Sequence, residues 1–562
     1  MTSPGGLAGG VSGGDLTTTA GQPVPGPVPP AGHEVRIARS TAAMTVLTAV
    51  SRLTGFVLVV VVAAVLGTTY LGNTYESANT MPNLLFELVA AGALQAVLIP
   101  TLVVHLDRED QQGAEHVAGA VLGIACLGMA IVAMVGVVLA PVLARVLFAG
   151  VADAEVRADE VRLGTVFLWF FLPQIVLYTA GLVATSVLNA RDRFIVPVVA
   201  PIANNVIVLG TCVVFWLMTR GTTPTLDLSA AEVAVLAGGT TLGVVAFCGL
   251  PFAAAVRGGF RLRPNLDHRH AEVRRLGRLG WWAGVFLAVQ QVLLIVVLVL
   301  ANRVAGGVVA YQVAFKFFLL PYALFGLPLM TAYFPTMSRQ VGERDWGGYA
   351  QAIERGFRAM AYFLLPAAAA LTALAPVLAR SVLFGQTGES GAAQVAGVLA
   401  GLAPGAFGYA SVLFLSRTLY ARADTRTPAL VNIGIAIGGS LLMVVGFTAV
   451  DGTLRVPALA VAHSVAFTVG AVVLHHLAIT RIPNGRRPRT GRAIAPSLAA
   501  AVAAGAAMWG AVELIDPQGR GASVVVMLVV GAVGLVLYAG LAAMLGGPRP
   551  ASVVALLRGR DG

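Results

Sequence analysis

The sequence predicts an all-α, polytopic membrane protein of about fourteen transmembrane helices, arranged as two parallel six-helix lobes followed by two C-terminal helices. Composition is the first observation behind this: of 562 residues, 57% are hydrophobic and 11% charged, with a mean hydropathy of +0.84. A soluble globule of that length cannot enclose so much apolar surface. The second is the length of the apolar runs, since crossing a hydrocarbon core of about 30 Å takes about 20 residues. Such runs lie near 43–67, 76–105, 116–147, 161–189, 195–218, 230–256, 277–301, 307–337, 357–382, 393–416, 428–450, 455–480, 493–514 and 522–546. The third, eighth and ninth runs are long enough to hold a re-entrant turn.

The third observation is an internal repeat. Pro173, Tyr178, Leu188, Ala190, Arg191 and Pro197 recur without a gap, 231 residues later, as Pro404, Tyr409, Leu419, Ala421, Arg422 and Pro428. A weaker echo pairs Tyr75, Ala78 and Pro100-Thr101 with Tyr311, Ala314 and Pro335-Thr336. The main offset covers six spans, an even number, so corresponding helices cross in the same direction and the lobes are parallel copies about an axis along the membrane normal. Two similar bundles able to rock about a site between them are a signature of secondary transporters.

Taken in chain order, the Gly-, Pro-, Thr- and Ser-rich segment 1–42 reads as a disordered cytoplasmic tail, and a tail of this kind before a full-length span leaves no place for a cleavable signal peptide. Residues 43–256 make the N-lobe (helices 1–6), 257–276 a basic cytoplasmic linker, 277–480 the C-lobe (helices 7–12), 493–546 helices 13 and 14, and 547–562 a second cytoplasmic tail. Arginines crowd alternate connections, at 257–278, 339–358 and 481–492, while the connections between hold mostly one each, such as Arg303, Arg380 and Arg520. The positive-inside rule then puts both termini in the cytoplasm; the acidic loop at 106–115 opposes it only weakly, because acidic residues count for little. The same arginines account for the net charge of +11 and pI near 10.1 as headgroup-facing cations, with no recognition fold for a nucleic-acid partner.

Within the lobes, each Leu-x-Ala-Arg corner makes Arg191 or Arg422 an anchor at a helix end, where a cation suits the helix dipole and the headgroups, and Pro197 or Pro428 opens the next span. Pro173 and Pro404 are placed to bend helices 4 and 10. Cys126, Cys212 and Cys248 sit in apolar runs without metal-ligand spacing and read as small core residues; no metal or cofactor is called for.

Three charges stand inside apolar runs. Lys316, the only lysine in the chain, lies roughly 15 Å into the eighth span, Arg52 is about nine residues into the first, and Glu87 is embedded in the second. Each ionised group at mid-bilayer costs about 2.5 to 3.5 kcal/mol on insertion scales, so these positions are expected to face a polar interior between the lobes. Cationic side chains there suit an anionic cargo. The plainer alternative is a buried Arg52–Glu87 pair locking two helices, with Glu87 a counter-charge. Asn204-Asn205, Gln290-Gln291, Asn432 and His463 fit either a pathway or interhelical hydrogen bonding.

These residues resemble the MurJ/MviN family of the multidrug/oligosaccharidyl-lipid/polysaccharide exporter superfamily. The resemblance rests on Ser51-Arg52-Leu53-Thr54-Gly55-Phe56, Pro82-Asn83-Leu84-Leu85 with Gly92-Ala93 and Pro100, Leu188 through Phe194 with Pro197, Tyr311 through Arg339, and Asp424-Thr425-Arg426-Thr427-Pro428. It implies a fourteen-helix flippase with a central cationic cavity, moving undecaprenyl-diphosphate-linked peptidoglycan precursor (lipid II) from the cytoplasmic to the outer leaflet by alternating access. It implies a lipid-tail groove on helices 13 and 14, an inner-membrane location, and membrane potential or an ion gradient as the drive. It also implies membrane lipids and cell wall synthesis or division proteins as partners. By the resemblance Arg52 is the family's first essential arginine, Lys316 stands for an arginine of the eighth helix, and Arg52, Lys316, Glu87, Asn73 and Tyr311 form the substrate-binding set. The sequence departs from the family at Leu58, Asn73, Thr80 and Ala91, which removes two cations, an aspartate and a glutamate from the N-lobe and leaves open a specialised paralogue or a different lipid-linked cargo. A drug or cation antiporter of the superfamily is the alternative transporter, and it calls for more acid in the spans than Glu87. An enzyme such as a polyprenyl-phosphate glycosyltransferase needs paired carboxylates or a metal-binding acidic cluster, and Asp107-Arg108-Glu109-Asp110 reads instead as a short solvated loop.

Overall fold

The computed structural model describes residues 31–89, 91–219, 222, 225–267, 291–483 and 487–547, and among them it is helical without a strand. The N-lobe comprises α1 (Ala31–Leu66), α2 (Tyr70–Val89), α3 (Ala91–Asp107), α4 (Gln111–Leu147), α5 (Ala154–Phe171), α6 (Gln174–Ala190), α7 (Ile195–Thr219) and α8 (Ala230–Arg257). The C-lobe comprises α9 (Gln291–Ala301), α10 (Gly307–Gly342), α11 (Trp346–Ala373), α12 (Ala375–Val382), α13 (Gly388–Leu402), α14 (Ala406–Ala421), α15 (Arg426–Ala449) and α16 (Arg455–Thr480). Last come α17 (Thr490–Ile515) and α18 (Gly519–Met544).

Twelve helices among the described residues are long and apolar enough to cross a membrane. The run expected at 76–105 is helical on both sides of residue 90, which lies outside the described residues, as α2 and α3, and the run at 277–301 is described only from Gln291. The tail expected to be disordered to residue 42 is corrected at its end: α1 starts at Ala31, where the Gly- and Pro-rich composition gives way to Ala, Glu, Arg and Met, which favour helix. Residues 1–30, 268–276 of the basic linker and 548–562 of the second tail lie outside the described residues.

The helices expected to bend do so at their prolines. α5 ends at Phe171 and Pro173 caps α6, while in the C-lobe a 3-10 turn, Ala403–Gly405, carries Pro404 between α13 and α14. Proline cannot continue the hydrogen-bond ladder, so both breaks follow from the sequence. The long third run is one unbroken helix, α4, whereas the eighth passes through a π-helical turn, Tyr322–Gly326, and the ninth breaks at Leu374 between α11 and α12.

The repeat extends to backbone detail. Asp192 and Ala423, each one residue past its corner arginine, both take left-handed conformations, with φ of 55° and 58°. Glu109 and Arg344 share a φ of 58°, and the next residue in each case, Asp110 or Asp345, caps a helix by accepting at 2.8 Å from the N–H of Gly113 or Gly348. Arg191 donates to the Gly258 carbonyl at the end of α8, and Arg422 to the Arg481 carbonyl at the end of α16. Each corner arginine thus ties the end of α6 or α14 to the end of the last helix in its lobe.

What the lobes add to this frame differs. The start of the basic linker is packed rather than free: its chain crosses α4 where Gly119 and Gly123 lack side chains, with Asn265 N–H donating to Gly119 O at 3.0 Å. A Cβ on Gly123 would lie 2.1 Å from Asn265 O. The corresponding C-lobe helix, α11, packs instead against α17, and Tyr538 of α18 donates to Tyr362 O at 2.9 Å. The C-terminal pair therefore belongs to the C-lobe side of the molecule.

Candidate functional site

The facing surfaces of the lobes come from α1 and α2 on one side and α9, α10 and α14 on the other. Arg52 lies one turn before Phe56 on α1, and Phe56 packs edge-on against Phe317 of α10 with ring centroids 5.0 Å apart. That stacking turns the Arg52 face of α1 toward the C-lobe, because residues four apart share a helix face. Asn205 of α7 holds α1 on either side of Arg52, donating to Thr54 Oγ1 at 3.0 Å and Ser51 O at 3.5 Å. Arg52 is exposed, and together with Arg417 of α14 it acts electrostatically on the hydroxyl of Tyr322. Tyr322 opens the π-helical turn of α10, a distortion that frequently marks functional positions.

Lys316, also exposed, sits six residues before Tyr322 on the same helix, roughly 9 Å along its axis. Its electrostatic neighbour is Glu76 of α2, in the opposite lobe. Among the described residues Arg52, Lys316 and Arg417 make no ion pair, and every pair found lies elsewhere. Three cations, one from the N-lobe and two from the C-lobe, thus line the interlobe face with their charge uncommitted.

At one end of this face the lobes are clamped by neutral groups. Asn73 of α2 is fully buried, donating to Val304 O at 2.8 Å and accepting from Val308 N–H at 3.0 Å. Ser77 and Asn302 exchange hydrogen bonds at 3.0 and 3.1 Å, and Gln312 donates to Thr80 Oγ1 at 3.0 Å. Positions 73, 77 and 80 form one stripe on α2 by helical periodicity. Thr387 adds a bond to Ala63 O at 2.7 Å.

The five residues expected to bind substrate therefore separate. Arg52 and Lys316 point to the interlobe face with free charge. The polar groups of Asn73 are committed to the clamp, and Tyr311 is buried with its hydroxyl 3.3 Å from His463 Nδ1, inside an aromatic cluster with Phe315, Phe318 and Phe467. Glu87 is hydrogen-bonded by Gln291 of α9 across the lobes, and among the described residues no Arg52–Glu87 ion pair is found. Arg191 and Arg422 cap α6 and α14 and lie over Phe260 and Trp346. Asn432 bonds its own helix at Pro428 O, and Gln290 lies outside the described residues.

Sequence reading missed Arg417 and Glu76. Arg417 sits beyond the end of an apolar run, where an arginine reads as a topology signal, and Glu76 lies at the start of one, where an acid reads as solvated. Tyr75 beside Glu76, already noticed through its echo Tyr311, was the available pointer.

A family model described as lipid II flippase MurJ matches residues 62–530. The probable lipid II flippase MurJ of Rhizobium meliloti is 24% identical over 440 residues, covering 78% of this chain and 79% of that protein. The lipid II flippase MurJ of Burkholderia cenocepacia is 26% identical over 401 residues, covering 71% and 76%. A solved structure of a lipid II flippase MurJ in an inward closed conformation shares the fold, with a TM-score of 0.70 at 16% identity over 88% of this chain and 98% of that one. With the family model spanning most of its length, the chain belongs to the MurJ family of lipid II flippases.

Proposed function

We propose that this protein flips lipid II from the cytoplasmic to the outer leaflet of the bacterial inner membrane by alternating access, without covalent chemistry, with both termini in the cytoplasm. The observation that carries this reading is the set of three cations without an ion-pair partner among the described residues, Arg52 and Arg417 near Tyr322 and Lys316 near Glu76 of the opposite lobe. Guanidinium and ammonium groups are the usual donors to phosphate oxygens, and a diphosphate bridging the lobes binds best where both contribute. The clamp of Asn73, Ser77 and Thr80 is then the outer gate, closed here, and the arginine corners mark the cytoplasmic end. The prenyl chain stays in lipid, along the groove of α17 and α18. Glu76 beside Lys316 is displaced from it as the diphosphate binds.

The test is complementation of a flippase-depleted bacterium, scored by how much lipid II becomes accessible at the outer surface. Wild-type protein restores it, and Lys316→Gln inserts normally but does not. Full activity of Lys316→Gln together with Arg52→Gln would end the proposal.

A further inference from the structure

We infer that Glu160 is a proton-binding site beside the interlobe clamp, loaded when the clamp is closed. Glu160 lies on α5 and is fully buried. Its Oε1 is 3.3 Å from Thr74 Oγ1, and its Oε2 has no partner. Thr74 has a single hydroxyl proton, and its closer contact, 2.8 Å, is to the carbonyl oxygen of Tyr70, which only accepts. Toward Glu160 the Thr74 oxygen therefore offers a lone pair. A carboxyl group meets a lone pair favourably only by donating to it, so Glu160 carries a proton on Oε1. An ionised carboxylate would set lone pair against lone pair and leave Oε2 charged and unsolvated.

The surroundings agree. Gly164, one turn further along α5, lets Phe148 and Thr74 close over the site. Tyr70 on α2 is the titratable group that faces it, and the Asp153 carboxylate at the start of α5 caps that helix and acts on the same tyrosine. Arg157 is turned to Val151 O, Arg162 pairs with Asp159 and Asp227, and among the described residues no cation pairs with Glu160.

What gives the proton a consequence is its address. Thr74 is next to Asn73 and one turn before Ser77, so the helix face that Glu160 grips flanks the stripe that clamps the C-lobe. Separation of α2 from the C-lobe admits water to this end, and a hydrated Glu160 releases its proton; reclosure requires one to be bound. Protonation and clamp closure are thereby linked. This deepens the flippase reading, on which it rests, by naming a group whose protonation regulates the gate.

The experiment uses the full-length protein in lipid nanodiscs, with spin labels at Ala152 and Ser390 to report the clamp, infrared difference spectroscopy to detect a protonated carboxyl, and proteoliposomes to follow lipid II. Expected for wild type are a carboxylic-acid band that Glu160→Gln removes and a clamp that opens as pH rises. Glu160→Gln makes the clamp insensitive to pH, and Glu160→Asp, which keeps a titratable group, retains a response. Thr74→Val, which removes the acceptor, shifts the opening to about tenfold higher proton concentration. An unchanged band in Glu160→Gln, or a clamp that follows sodium at fixed pH instead of protons, overturns the inference. Failure of wild type to move lipid II at any pH sinks the flippase reading instead, while the infrared and distance results still decide Glu160.

Discussion

Set side by side, the N-lobe and C-lobe agree where they face their own lobe and differ where they face each other. Both have the corner arginine tied to a carbonyl at the end of the lobe's last helix, both have the left-handed residue after it, and both have an aspartate cap, on α4 and α11. On the interlobe face, α2 presents Asn73, Glu76, Ser77 and Thr80, whereas its counterpart α10 presents Lys316 and a π-helical turn at Tyr322. The repeated features build a frame that any duplicated bundle needs. The unrepeated ones carry what the two halves do to each other, and there a substitution in one lobe has no equivalent in the other.

The comparison breaks most visibly at the cations. Lys316→Gln, Arg52→Gln and Arg417→Gln each lower lipid II exposure in cells by about tenfold or more, the effect of one charged hydrogen bond to phosphate, while the matched corner variants leave transport per folded molecule unchanged. A transport assay normalised to membrane-inserted protein separates the two groups.

The clamp comes next. Asn73→Asp keeps the acceptor for Val308 N–H but sets a carboxylate oxygen against Val304 O, at a cost of about 1 to 3 kcal/mol in a buried site. Spin-label distances across that end lengthen, and the shift exceeds that of Ser77→Ala.

The glycine seat is a third asymmetry. Gly123→Val destabilises by about 1 to 3 kcal/mol through overpacking against Asn265, read as a lower melting temperature. Arg191→Ala and Arg422→Ala, by contrast, cost similar amounts, about 1 to 2 kcal/mol each, as twinned positions should.

The smallest effect is one of pH. The Gly113 N–H and then His105 hold the Asp110 carboxyl below its usual range. A depressed carboxylate contributes stability above its ordinary titration range and loses it as pH falls through the lowered value. Melting curves of Asp110→Asn therefore decline less between mildly and strongly acidic pH than those of wild type.

Much of this was legible beforehand. Apolar runs of membrane length, the corners at 173–197 and 404–428, and Pro173 and Pro404 each act locally, through hydrophobicity, helix-end chemistry and a missing N–H, so one strand of sequence suffices to read them. Arg52 and Lys316 were legible because a charge inside an apolar run is costly unless it faces something polar. The twin aspartate caps at Asp110 and Asp345 were not read from the sequence, where 107–110 reads only as a solvated loop.

What the chain's order of residues settled was therefore the class of fold, its duplication and the sign of the charge between its halves. Tertiary structure alone decided which polar groups were already spent: Asn73 on the backbone of Val304 and Val308, Tyr311 on His463, Glu87 on Gln291, leaving Arg417 to join the free cations and Glu160 to lie buried against Thr74. Those assignments depend on partners 86 to 235 residues away. A hydrogen bond is fixed by distance and direction in space, which helical periodicity within one segment does not encode.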